Sequence, residues 1–182
     1  MSAATYVFDF DSTLVDFETL DLLAGVALEG RAGAAATRAE IARLTDLAMA
    51  GELAFGEALR GRLALLPLTR EHVQALAAQA AGRLAPSVER NLDFFRERAG
   101  RVVIISGGFR EVIAGVAEKL GVPPGCVVAN DLVYDENGRA SGVADSPLLA
   151  PLGKAGASKA LGFRGPVVMV GGGWTDAEVR QA

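Results

Sequence analysis

The 182-residue sequence is poor in cysteine and lysine and has no block of like charges. Its single cysteine, Cys126, lies beside Val127 and Val128, where we expect it to pack as a small apolar side chain. A lone cysteine excludes a disulfide within the chain. The formal net charge is −4 and no basic stripe is present. Nucleic acid is therefore not an expected partner.

Long apolar runs are also missing. No stretch of about 18 uninterrupted apolar residues is present to cross a bilayer. Residues 1–6 lack the basic segment of a secretion signal, so we expect a cytoplasmic protein without a membrane partner. The chain is 51% hydrophobic and 22% charged, the composition of a globular protein. Its length allows one substantial core, alone or with a small insert.

Four short apolar segments, each followed by Gly, Asn, Asp or Ser, have the pattern of buried strands in a parallel sheet. Helical patterns lie between them and indicate right-handed crossovers. Ligands of such sheets bind at the carboxyl ends of the strands, where Asp9, Ser106 and Gly171 lie. We predict an α/β fold with an open parallel sheet, with strands over 6–10, 101–105, 126–129 and 166–170 and helices over 92–98, 110–120 and 154–161.

Residues 16–84 differ from the rest because they are rich in Ala and Leu at helical spacing. This pattern predicts an all-helical insert after the first strand, placed to cover the strand ends. We therefore assign residues 1–15 and 85–182 to an α/β core and residues 16–84 to a small helical cap domain. Asn137-Gly138 between short flanks predicts a β-hairpin over 134–142.

Asp9 and Asp11 stand at the end of the first predicted strand, one residue apart. In an extended chain this spacing directs both side chains to the same side. Two carboxylates held close repel each other unless a cation neutralises them. The pair therefore indicates a nucleophile, an acid/base partner and a divalent ion. The alternative is a pair of solvated acids that cap a helix beginning near Ser12.

The segment from Asp9 to Val15 resembles the first motif of the haloacid dehalogenase superfamily, in its phosphoserine phosphatase branch. Ser106-Gly107-Gly108-Phe109 is similar to the second motif, in which Ser106 and the Gly107 N–H would hold the phosphoryl group. Lys154 resembles the lysine that neutralises the phosphate and the nucleophile, and Lys159 is the competing candidate. The resemblance implies a Rossmann-like sheet with the cap described above.

The fourth motif of this family is matched by Gly171-Gly172-Gly173-Trp174-Thr175-Asp176, except that Gly172 replaces the metal-binding aspartate. The resemblance implies a Mg²⁺ cofactor held by Asp9, by the Asp11 main-chain carbonyl, and by Asp176 through water. Thr175 would contact the phosphate. Without a carboxylate at 172 we expect lower occupancy and weaker activity. The alternative is a flexible glycine-rich turn without a metal site.

Four residues of the insert, in their local contexts, resemble the substrate-reading cap of phosphoserine phosphatases. There the acid, Glu18, would read the substrate ammonium and the arginine, Arg62, its carboxylate. Met49 and Phe55 would exclude water above the phosphate. Each also has an ordinary structural role available: a helix-start acid, a solvated face or a core position. His72 matches nothing in the family and is expected at the surface.

The function implied by the resemblance is Mg²⁺-dependent hydrolysis of O-phospho-L-serine through an aspartyl-phosphate on Asp9, with Asp11 as acid and base. Two alternatives are a phosphatase of another small phosphometabolite and a weak or inactive phosphate-binding pseudo-phosphatase. The sequence stops soon after the fourth strand, where this family usually continues with a further strand and helix. We expect a shortened chain or a sheet edge covered by another chain, and a homodimer is left open.

Overall fold

A parallel sheet forms the centre of the computed structural model, which describes residues 3–179 apart from the side chains of Trp174 and Glu178. The strand order is β3-β2-β1-β6, and every neighbouring pair is parallel. This arrangement confirms the predicted α/β fold. The strands are β1 (Thr5–Phe8), β2 (Val102–Phe109), β3 (Val127–Asn130) and β6 (Val167–Val170).

Strand β2 is longer than the predicted 101–105 because it continues through Gly107 and Gly108 to Phe109. The register shifts after Ile105, and Phe109 then pairs with Asn130 of β3. Strand β1 ends earlier than predicted, at Phe8, because the Phe10 carbonyl accepts hydrogen bonds from the N–H groups of Thr13 and Leu14 and turns the chain. These two departures shape the end of the sheet where the acidic residues lie.

Helices cover both faces of the sheet and build the insert. Those of the insert are α1 (Thr19–Ala27), α2 (Ala34–Met49), α3 (Phe55–Ala64) and α4 (Arg70–Ala80). Those that follow are α5 (Pro86–Glu89), α6 (Leu92–Glu97), α7 (Arg110–Lys119), α8 (Gly153–Ala160) and α9 (Trp174–Val179).

The chain enters and leaves the helical insert through two segments that lie side by side. The Ala85 N–H donates to the Leu14 carbonyl at 2.9 Å, and the Asp16 N–H donates to the Arg83 carbonyl at 3.2 Å. The insert also contacts the antiparallel hairpin of β4 (Leu132–Tyr134) and β5 (Ala140–Val143), because Thr69 bridges to Arg139. The helical character of the insert agrees with the sequence pattern, while the core and cap boundaries stay a prediction.

The hairpin turns at Gly138, whose φ of 74° suits glycine, as the Asn-Gly pair predicts. Its first strand begins at Leu132, two residues before the predicted start of the hairpin at 134. The extension arises because Leu132 pairs with Val143 and buries its side chain in the main core.

The two edges of the sheet differ. At the β3 edge, the Arg110 guanidinium donates to the carbonyls of Val127 and Ala129 and so occupies main-chain acceptors. At the β6 edge, Val167 and Val168 are 40% and 41% exposed, and the structure pairs β6 with β1 alone over residues 3–179. No helix of the described chain is long and apolar enough to cross a membrane.

Candidate active site

Asp9 is anchored where β1 ends. Its N–H donates to the Val170 carbonyl at 2.9 Å, which continues the β1–β6 ladder by one residue. One carboxylate oxygen, Oδ1, accepts the Phe10 N–H at 2.8 Å. The same oxygen lies 2.9 Å from Lys154 Nζ. The backbone of two strands and one buried cation therefore hold this side chain at the carboxyl edge of the sheet.

Lys154 joins two acids from separate parts of the chain. Its Nζ donates to Asp176 Oδ1 at 2.6 Å while it also pairs with Asp9. The lysine is 8% exposed and Asp176 is 3% exposed, so water screens neither ion pair well. Lys159, the competing candidate, is exposed on the same helix, α8. We call Asp9, Lys154 and Asp176 the charge triad.

The titration of the triad follows from burial and mutual attraction. Burial raises the pKa of Asp9, and the nearby Lys154 ammonium opposes that rise. Burial alone would lower the pKa of Lys154, but attraction to Asp9 and the hydrogen bonds that the lysine donates to both acids raise it above its ordinary value. The lysine is therefore charged at neutral pH and keeps a positive charge next to Asp9.

Asp11 is held apart from the triad by Thr19. The N–H and the hydroxyl of Thr19 both donate to Asp11 Oδ1, at 2.9 and 2.5 Å. Burial raises the pKa of Asp11 to about 6, and the Thr19 hydrogen bonds limit the rise. A carboxyl with a pKa near neutrality can give and take a proton under working conditions. Sequence reasoning missed Thr19, the first residue of α1, because only the folded chain shows that it donates hydrogen bonds to Asp11.

Ser106, Gly107 and Gly108 lie beside the acids, in the last part of β2. Ser106 Oγ accepts the Gly108 N–H at 3.0 Å, and Asn130 Nδ2 donates to the Gly107 carbonyl at 2.8 Å. A Cβ on Gly108 would lie 3.3 Å from Asp11 Oδ2. Glycine therefore allows the acid to approach the backbone. Asn130 is fully buried. Sequence reasoning missed it, because nothing in its local sequence shows that it donates to the Gly107 carbonyl of another strand.

Phe55 of the insert lies directly over Gly107. A Cβ on Gly107 would stand 2.7 Å from Cζ of the Phe55 ring, so only glycine leaves room for the aromatic side chain. Met49 is not brought to the same place, since its side chain is 72% exposed at the end of α2. In this conformation Phe55, and not Met49, lies above the predicted phosphate cradle.

The other two insert residues lie in different environments. Glu18 is exposed, and its Oε1 accepts the Ser12 hydroxyl at 2.6 Å. Arg62 is half-buried on α3, and burial lowers the pKa of its guanidinium while Asp21 and Glu18 oppose that effect. His72 is half-buried, and its Nδ1 accepts the Thr69 N–H at 3.3 Å where α4 begins. The expectation of a surface histidine without a site role is met only in part, because His72 caps a helix.

The loop before α9 places Asp176 and leaves Gly172 open. Asp176 Oδ2 accepts the Gly173 N–H at 2.8 Å, and a Cβ on Gly171 would overlap the Asp176 carboxylate. A Cβ on Gly172 would meet nothing within 4 Å, so the position accepts a larger side chain. Thr175 is half-buried in the first turn of α9.

The donors near the triad suit a hard cation but are few. Carboxylate and main-chain oxygens of Asp9, Asp11 and Asp176 are the ligand types that Mg²⁺ prefers. Among the side chains that the structure describes, however, no group of three or more His, Cys, Asp or Glu is arranged to hold a metal ion. The oxygen atoms present therefore suit a divalent cation. The carboxylate of the aspartate that Gly172 replaces is missing from the set.

The raised pKa of Asp11 generates a stability prediction. The folded-state value of about 6 exceeds the ordinary 3.8, so ionisation opposes folding as pH rises through this window. Asp11→Asn cannot ionise and should gain stability over the wild type by about 2–3 kcal/mol on going from about pH 4 to about pH 8. Urea denaturation at both pH values measures the gain.

The exposed Asp145 provides the control for this experiment. The stability of Asp145→Asn, relative to wild type, should change little across the same range. An Asp11→Asn variant whose relative stability is the same at both pH values would contradict the assigned environment of Asp11.

Comparison with known proteins agrees with this geometry. A family model described as haloacid dehalogenase-like hydrolase matches residues 6–178. The phosphoserine phosphatase of Rattus norvegicus is 35% identical over 183 residues, covering 97% of this chain and 77% of the relative. The phosphoserine phosphatase of Homo sapiens is 34% identical over 182 residues, with the same coverage.

Solved structures show the same relationship. A phospho-aspartyl intermediate analogue of phosphoserine phosphatase aligns with a TM-score of 0.72 and 29% identity, over 99% of this chain and 83% of the other. A phosphoserine phosphohydrolase-like protein from Francisella tularensis aligns with a TM-score of 0.83 and 25% identity, over 98% and 82%. The predictions of the fold and of a phosphoserine phosphatase-like hydrolase are confirmed, and phosphoester hydrolysis is supported. From its first strand to its last described helix, the chain belongs to the haloacid dehalogenase-like hydrolase family.

Proposed function

We propose that this chain hydrolyses O-phospho-L-serine to L-serine and phosphate through phosphorylation of Asp9. The observation that carries the proposal is the charge triad, in which Lys154 Nζ lies 2.9 Å from Asp9 Oδ1. Asp11, two residues further along the chain, accepts hydrogen bonds from Thr19. The relatives that share this family are named phosphoserine phosphatases. The buried Lys154 ammonium favours the charged form of the Asp9 carboxylate and would attract an anionic phosphate to it.

The reaction follows from the positions of the two acids. The Asp9 carboxylate attacks phosphorus, and the bond from phosphorus to the serine oxygen breaks. Asp11, whose pKa is about 6, gives its proton to the departing oxygen. Asp11 then takes a proton from water, which attacks phosphorus and releases phosphate from Asp9. The same carboxyl acts first as acid and then as base, which its pKa near neutrality favours.

The phosphoryl group would be held by residues of β2, α8 and α9. The Ser106 hydroxyl and the Gly107 N–H would contact it from β2, Lys154 would balance its charge from α8, and Thr175 would contribute from α9. Phosphatases of this family are generally metal-dependent, and we propose Mg²⁺ for this chain. Mg²⁺ bound by Asp9, by the Asp11 carbonyl and, through water, by Asp176 would neutralise charge on the phosphoryl oxygens.

The insert would select the substrate. We propose that Glu18 binds the ammonium of phosphoserine and that Arg62 binds its carboxylate. Phe55 would exclude water above the phosphate, as its position over Gly107 favours, and Met49 would join it on closure.

We also propose a division into a core of residues 1–15 and 85–182 and a cap of residues 16–84. A cytoplasmic location and a homodimer are further proposals.

A pseudo-phosphatase that binds phosphate is the second candidate, and Gly172 is the observation that favours it. The aspartate that the family carries there is missing, and the remaining carboxylates of the triad already pair with Lys154. With one carboxylate fewer, and with Lys154 as a cation already paired to the other two, the site attracts a metal ion less strongly. We therefore propose lowered activity, and the pseudo-phosphatase represents the limit in which turnover is lost.

Restoring an aspartate at 172 separates these two functions. Gly172→Asp should raise Mg²⁺-dependent phosphate release from O-phospho-L-serine by at least about 10-fold, because a lost metal ligand costs at least that much. The variant has room for the new side chain. The measurement is the initial rate of phosphate release over a Mg²⁺ titration that reaches saturation.

Gly125→Asp is the matched control, since this exposed glycine also has open space and precedes β3 at the opposite end of the sheet. It should leave the rate unchanged. Measurable release by the unmodified chain supports the phosphatase, and release only by Gly172→Asp indicates a disabled one. Absence of release from both forms contradicts the proposed reaction.

Arg62 distinguishes phosphoserine from another small phosphometabolite. Arg62→Lys keeps a positive charge but loses the planar fork, so kcat/KM for phosphoserine should fall by about 10- to 100-fold. Phosphoethanolamine, which lacks the carboxylate, should be hydrolysed as before. The assay uses whichever of the wild type and Gly172→Asp is more active. The control is Arg60→Lys, an exposed arginine on the same helix. Equal losses for both substrates would contradict carboxylate recognition by Arg62.

A further inference from the structure

Thr45 of α2 is hydrogen-bonded to Arg62 of α3. Arg62 Nη1 donates to Thr45 Oγ1 at 3.2 Å, and Thr45 Oγ1 donates to the Ile41 carbonyl at 3.0 Å. A guanidinium can only donate, so the hydroxyl must accept from it. The hydroxyl hydrogen is then directed to Ile41, and an oxygen lone pair faces Arg62. The direction of both hydrogen bonds is therefore determined by chemistry.

A second hydrogen bond holds the other side of the same guanidinium. Arg62 Nε donates to the Ala58 carbonyl, one turn earlier on α3, at 3.3 Å. A guanidinium has five N–H groups, so two fixed bonds orient its plane and leave the other N–H groups, including both on Nη2, available to a ligand. A carboxylate that binds an arginine through two parallel hydrogen bonds needs this kind of orientation.

The packing of α2 against α3 brings Thr45 close enough to act. Next to Arg62, Gly61 has no side chain, and a Cβ there would stand 3.2 Å from Cδ1 of Leu44. The two helices are thus in close contact beside the Thr45–Arg62 pair. Thr45 also lines a cavity of about 300 Å³ between α1 and α2, together with Asp21, whose charge acts on Arg62. Thr45 therefore lies at the edge of an accessible space.

We infer that Thr45 is a positioning residue that sets the orientation of the Arg62 guanidinium for the carboxylate of an amino-acid phosphate. This inference rests on the proposed function, because it assigns to Thr45 a part of the selection that Arg62 performs. Without the Thr45 hydroxyl, Arg62 keeps its charge but loses one of the two bonds that orient it, and a half-buried donor is left unpaired.

The test is the dissociation constant of two ligands, O-phospho-L-serine and phosphoethanolamine, measured by calorimetry on the full chain in EDTA. Binding is measured without turnover under these conditions. Thr45→Val should weaken phosphoserine binding by about 10-fold, the effect of one hydrogen bond to a charged group. Phosphoethanolamine binding should stay within about 2-fold, which also shows that the variant is folded.

Three further variants make the result specific. Thr45→Ser retains the hydroxyl and should restore phosphoserine binding to within about 2- to 3-fold of wild type. Thr37→Val, a threonine on the same helix, should change neither ligand. Arg62→Lys should lose the preference for phosphoserine.

The outcomes separate the inference from the proposed function. A preference that disappears in Arg62→Lys but persists in Thr45→Val overturns the role of Thr45 alone. Equal weakening of both ligands by Thr45→Val, or no recovery in Thr45→Ser, also overturns it. A wild type without any preference for phosphoserine, together with an Arg62→Lys variant that behaves like it, overturns carboxylate recognition and the role of Thr45 with it.

Discussion

The site depends on the two ion pairs that the buried Lys154 ammonium makes with Asp9 and Asp176. Two acids from the ends of β1 and α9 share it at 2.9 and 2.6 Å, in surroundings that exclude most water. Two carboxylates so placed would repel each other and pay a desolvation cost without a cation between them. Gly153 permits this position because a Cβ there would collide with the backbone of Leu148. The close packing of α8 against Leu148 therefore sets the position of Lys154.

Gly172 affects the electrostatics of this arrangement, because it places no carboxylate in the loop before α9. The loop still places Asp176 through the Gly173 N–H, and the space above Gly172 is open. What is lost is a negative charge that would help to attract a divalent cation. Lys154 is then the cation that pairs with the two remaining acids, Asp9 and Asp176. In the function proposed above, this loss lowers the affinity for a divalent cation while the fold and the position of Asp9 are kept.

The sheet and the helical insert were predicted from local periodicity, Asp9 and Asp11 from their spacing at the end of a strand, and Lys154 from the family resemblance. The structure brings Lys154 into contact with Asp9. Sequence reasoning did not reach Thr19, Asn130 or Thr45. Each of these acts on a residue of another element: on Asp11, on the Gly107 carbonyl and on Arg62. Such partners depend on tertiary packing. The extension of β2 to Phe109 was missed for the same reason, since it requires pairing with Asn130 after a register shift.

Asp9 is the group that receives the phosphoryl group in the proposed reaction. The decisive measurement is acid quenching of the chain, or of its Gly172→Asp form, during turnover of phosphoserine, followed by borohydride reduction and peptide mass spectrometry. Reduction of an acyl phosphate converts the aspartate to homoserine. The account predicts homoserine at position 9. Phosphate release with an unmodified Asp9, or modification of a different acid, would contradict it.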